Sequence, residues 1–113
     1  MKYKKFVFND TIKEHILYSD LPSEGNEFMK VVVKGDFEGR ASLVMYTDPD
    51  LKNETSLLPD FDGRIDTSFY RDFYGGTPAI KFIPYPPISE STGRLEVILE
   101  YWFRIRVVYR VFL

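Results

Sequence analysis

The chain has no cysteine and a single histidine, His15. Without thiols there is no disulfide framework, no thiolate metal site and no cysteine nucleophile. With one imidazole, a histidine-built zinc site and a Ser-His-Asp relay both lack parts, and His15, beside Glu14 in a polar stretch, is expected to be incidental. No apolar run approaches the length of a membrane-spanning helix. The opening is basic, but its apolar stretch Phe6-Val7-Phe8 stops at Asn9 and Asp10, too soon for a signal peptide. The expected location is cytoplasmic. A large charge of one sign is also missing: seventeen acidic against fifteen basic side chains leave −2, which gives no general attraction to nucleic acid.

What the chain does have is aromatic and alternating. Ten Phe, eight Tyr and one Trp in 113 residues favour strands and supply ample core, so a single domain over residues 1–113 is expected. From Arg94 to Leu113 every odd position is apolar, and Arg94, Glu96, Glu100, Arg104, Arg106 and Arg110 stand on the other parity. That is the period of a strand. Twenty extended residues would reach roughly 65 Å, so the run must bend near Trp102, turn back or leave the domain.

Other segments point the same way. Glu27 to Lys34 and Arg40 to Thr47 alternate, and Gly35-Asp36-Phe37-Glu38-Gly39 between them reads as the loop of a hairpin. Phe6 to Phe8 and Thr77 to Pro84 read as further strands. Thr11 and Glu14 have the spacing of a capping box, which predicts a short N-terminal helix over Ile12 to Tyr18. From Asp48 to Gly76 the pattern is weak: Leu57-Leu58 reads as a short buried segment, Asp60-Phe61-Asp62-Gly63 as a turn. The expected fold is all-β and mainly antiparallel, a β-sandwich or strongly curved sheet carrying that short helix.

Candidate chemistry is sparse. Asp48, Asp50, Glu54, Asp60, Asp62 and Asp66 offer oxygen ligands of the kind calcium takes, but with Gly63 at the sixth position of an EF-hand loop the first position is Leu58. A solvated acidic loop is the simpler reading, and no metal or cofactor is expected. Asn53-Glu54-Thr55 matches a glycosylation acceptor, which lacks meaning without secretion. Numerous carboxylates permit hydrolase-like acid and base roles, but nothing places two of them together.

The binding residues expected are Tyr70, Arg71, Phe73, Tyr74 and Tyr85, which interleave rings with charge outside the strongest strands, together with Trp102, Arg104 and Arg106 on the terminal run. The leading expectation is a noncatalytic protein-interaction, assembly or inhibitor domain that uses a β edge and aromatic loops, with a protein partner or self-association. A carbohydrate- or ligand-binding module is the alternative, and a carboxylate-dependent hydrolase the third.

Overall fold

The computed structural model describes residues 2–9, 13–22, 27–47, 51–52, 54–72, 76–85 and 93–103. Within them six strands form one antiparallel sheet: β1 Lys2–Phe8, β2 His15–Tyr18, β3 Glu27–Tyr46, β4 Glu54–Asp72, β5 Ala79–Pro84 and β6 Arg94–Phe103. The fold is all-β, strongly curved and nearly closed into a barrel.

Its axis is β3, which pairs with β4 along one edge and changes partner along the other. From Glu27 to Asp36 that second edge holds β6, which in turn pairs with β1. From Ala41 to Tyr46 it holds β5, which pairs with β2. Two half-sheets therefore share the β3, β4 ribbon and fold towards each other where the ribbon bends. The open side is drawn together by side chains. The Phe8 ring meets His15 edge-on at 4.9 Å, Lys4 pairs with Asp20 at 2.9 Å, and the buried Tyr101 hydroxyl donates to the Leu21 carbonyl at 3.2 Å.

The bend is built from bulges that preserve the hydrophobic alternation. Asp36 faces Arg64 and Arg40 faces Asp62, so β3 carries two more residues than β4 across this stretch. Because the side-chain period of a strand is also two, Met29, Val31 and Val33 before the bend and Ala41, Leu43 and Met45 after it all stay buried. Gly39 takes φ 111°, a conformation L side chains avoid. The compensating extra residues lie on β4, between Phe61 and Leu58 and again between Leu58 and Ser56.

Inside, Phe6, Phe8, Phe37, Phe61, Phe82, Leu95, Val97, Leu99 and Tyr101 join these β3 side chains in one core. A second, smaller cluster of Val44, Tyr46 and Ala79 lies on the other face of the β3, β5 pair, with Ile16, Leu51 and Ile83 packed against it.

Four expectations are corrected. His15–Tyr18 is a strand paired to β5, where the capping-box spacing predicts helix; Ile12 lies outside the described residues. The partner β5 offers an open edge to Ile16 and Leu17, and tertiary pairing overrides a local cap. His15 is not incidental, since its half-buried ring packs on Phe8 and Phe82. Gly35 to Gly39 is not a hairpin loop but the bent middle of one 20-residue strand. The weak region from Asp48 to Gly76 contains a 19-residue strand, which continues through the expected turn at Asp60 to Gly63. Of the long terminal run, Arg94–Phe103 is β6, paired with β3 without a register shift through Trp102, where a bend is expected; residues 104–113 fall outside the described residues.

Candidate interaction surface

Alternation leaves β1, β6, β3 and β4 with one face on the core and one face outward. The cross-strand register sets the outward side chains in rows. One row runs Tyr3, Glu100, Lys30, Tyr70, and the next in the same half-sheet runs Lys5, Ile98, Val32, Ser68. On the other side of the first row Trp102 stands opposite Phe28.

This face collects the large exposed rings of the half-sheet. Tyr3 is 63 % exposed, Tyr70 64 % and Trp102 39 %, and Phe28 lies half-buried between the last two. The Phe28 and Tyr70 rings have centroids 5.9 Å apart and planes inclined by 55°. Rings this exposed are unusual positions for large apolar area, and Tyr and Trp combine that area with a polar handle. Half-buried Ile98 and Val32 continue the apolar strip across the middle of the sheet.

Towards the bend the same face becomes ionic. One row reads Arg94, Asp36, Arg64 and the adjacent one Glu96, Lys34, Asp66, so signs alternate both along and across the strands. A shallow groove of about 440 Å³ lies among them, lined by Lys34, Gly35, Asp36, Ile65, Asp66, Arg94 and Glu96. The Glu96 carboxylate accepts from Lys5 at 3.0 Å and also pairs with Arg94. The Lys5 hydrogen bond, against a smaller opposing effect of desolvation, holds its pKa below the ordinary carboxylate value.

The expected site residues are divided by this geometry. Tyr70 and Trp102 are brought onto one face, on either side of Phe28. Arg71 is exposed but belongs to the opposite parity, with its guanidinium 4.8 Å over the Phe69 ring, so it lies on the core side of the β4 rim. Tyr85 is on the far side of the bend. Its hydroxyl donates to the Pro59 carbonyl at 2.6 Å and its amide to the Arg40 carbonyl at 2.9 Å, a clamp on the β4 bulge. Phe73, Tyr74, Arg104 and Arg106 lie outside the described residues. Tyr3, Phe28 and Lys30 were not among the expected residues, although Tyr3 and Lys5 alternating with Lys4 and Phe6 already mark an outward parity.

The acidic segment is a strand where a solvated loop is expected, and its carboxylates are spread along it. Glu54 accepts from the Tyr46 hydroxyl at 3.2 Å, Asp60 holds Arg40 in a two-pronged pair, Asp62 accepts the Arg64 amide, and Asp66 faces Lys34. Asp48, Asp50 and Asn53 are outside the described residues. Among the described residues no helix is long and apolar enough to cross a membrane.

The class is thus an all-β protein with a single curved, barrel-like antiparallel sheet and one aromatic outer face. No protein-family model, curated protein or solved structure matches the chain.

Proposed function

We propose that the chain is a noncatalytic protein-interaction domain, and that its binding surface is the outer face of β1, β6, β3 and β4. The observation that carries this reading is that Tyr3, Tyr70 and Trp102 share one face of the sheet, Tyr70 and Trp102 on either side of Phe28 and Tyr3 in the row that ends at Tyr70. Tyr and Trp are the residues on which binding energy concentrates at protein interfaces, and a sheet holds them in place before binding, which lowers the ordering cost. Glu100 and Lys30, set between the two tyrosines, supply charges of both signs for orientation. The partner this suits is a flat or extended protein segment that presents apolar side chains and a polar rim. The inclination of Phe28 to Tyr70 favours protein side chains over a sugar, which stacks best on rings sharing a plane.

The test is selection of a random-peptide display library on the wild-type chain, followed by calorimetry with a Tyr3→Ser, Tyr70→Ser, Trp102→Ser triple variant. Selected peptides should bind the wild type and lose at least about tenfold in affinity on the variant, as expected when hot-spot side chains are removed. Peptides that bind both chains equally, or an absence of enrichment, overturn the reading. So does a glycan array on which sugars bind through these same rings.

A further inference from the structure

The outer edge of β4 is a second surface, independent of the aromatic face. Among the described residues β4 pairs with β3 alone, and from Phe61 to Phe69 no described strand lies along its other side; the Arg64 amide is taken by the Asp62 carboxylate at 3.0 Å. Native edges are blunted by prolines, bulges and charge. On β4 the proline, Pro59, and that strand's own two bulges lie on one side of Phe61; the β3 bulge faces Gly63, and from Arg64 onward the pairing with β3 is unbroken.

Both ionic rows of the outer face end on this edge, with opposite signs. The row Arg94, Asp36, Arg64 ends positive, and the row Glu96, Lys34, Asp66 ends negative, two positions further along β4. An antiparallel two-fold axis through Ile65 places each ending against its opposite. Arg64 then faces the partner's Asp66 and Asp66 faces the partner's Arg64, so the signs alternate without a break across six strands. On the core side the same register sets Ile65 against the partner's Ile65, and Phe61 against the partner's Phe69. A shift of two residues one way brings Arg64 onto the partner's Arg64, and two the other way brings Asp66 onto the partner's Asp66. Like charges directly opposite are destabilising, so the edge selects its own register.

We infer that the chain forms a symmetric homodimer by antiparallel pairing of β4 over Phe61 to Phe69, centred on Ile65, which joins the two sheets across the interface. The occupant is a second copy because the complementarity is reciprocal: the edge is its own match.

The experiment is sedimentation velocity on the full chain over a range of concentrations, with circular dichroism to confirm folding. The wild-type mass should climb from 13.3 kDa towards twice that value. R64D and D66R should each remain monomeric where the wild type is dimeric, because each creates two like-charge contacts across the interface, besides one within its own sheet, against Asp36 or Lys34. Their equimolar mixture should recover the dimer, since the all-acidic edge of one then meets the all-basic edge of the other. If a single variant folds poorly, the double swap R64D/D66R takes its place and should dimerise. A wild type that stays monomeric throughout, folded single variants that dimerise like it, or a folded mixture or double swap that stays monomeric each overturns the inference. None of these results depends on Tyr3, Tyr70 or Trp102, so failure here leaves the aromatic-face reading standing.

Discussion

Phe37 and Phe82 meet edge to face, with ring centroids 5.8 Å apart and planes at 81°. Phe82 also packs on Phe8 at 5.6 Å and on His15 at 5.8 Å, while Phe37 reaches Phe61 at 6.2 Å. This chain of rings links β2, β1, β5, β3 and β4 through the interior, so Phe82 ties the two half-sheets together. Phe82→Ala should lose about 3–5 kcal/mol, the usual cost of emptying a buried phenylalanine site. A typical domain has about 5–15 kcal/mol in total, so the variant should show a much lower urea midpoint. Unchanged stability would mean the half-sheets are held elsewhere.

The bend has no room for side chains. A Cβ at Gly93 would lie 1.7 Å from the Asp36 carbonyl oxygen, and one at Gly63 would lie 2.3 Å from the Phe37 oxygen and 2.6 Å from its ring. Both obstacles are backbone, which cannot swing away. At Gly35 the nearest atoms are farther off, the Leu95 side chain at 2.9 Å and the Gly63 carbonyl oxygen at 3.0 Å. Gly63→Ala and Gly93→Ala should therefore each destabilise by about 1–3 kcal/mol, and Gly35→Ala by less. Thermal melts of the three variants check the order, and equal loss at all three would contradict the packing described.

These glycines also explain what could be read in advance. The alternation of Leu95 to Tyr101, of Met29 to Val33 and of Ala41 to Met45 was legible because period two survives wherever one face is buried. A glycine in such a run, however, signals either a turn or a close approach of another backbone, and the two look alike in one sequence. Gly35 and Gly63 are close approaches; read as turns, they cut β3 in half and hid β4. Pro59 lies in the same strand at a bulge, a place where an edge strand allows proline. The aromatic face was half legible. Tyr70 and Trp102 were visible as unusual residues, but their meeting across Phe28 depends on a register that only the long ribbon defines.

Acid should weaken the fold through Glu96 and Asp20. Glu96 is held low first by its hydrogen bond to Lys5, and Asp20 first by its hydrogen bond to Lys4. A carboxylate with a lowered native pKa contributes stability that is fully present above its unfolded value and is lost as pH falls through the native one. The loss should therefore begin below about pH 5, near the unfolded values of about 4, and finish lower. Both pairs are open to solvent, so the effect should be small and fade in high salt. Urea midpoints of wild type and Glu96→Gln should differ at neutral pH and converge in strong acid. Parallel curves would show that Lys5 and Arg94 give Glu96 no special standing.

Tyr85 separates architecture from recognition. Its hydroxyl donates to Pro59 on the β4 bulge, and its backbone amide donates to Arg40, whose guanidinium grips Asp60 from the other side. The ring is partly exposed, which made it resemble a binding residue, but its polar atom is already committed to the fold. Tyr85→Phe removes that one hydrogen bond and keeps the ring. It should cost about 0.5–1.5 kcal/mol in denaturant unfolding. Affinity for any peptide selected on the wild-type aromatic face should stay unchanged, because Tyr70 and Trp102 sit beyond the bend against Phe28. If Tyr85→Phe instead weakens binding and leaves stability alone, the clamp is part of the recognition surface, and the division between the two ends of β3 has to be redrawn.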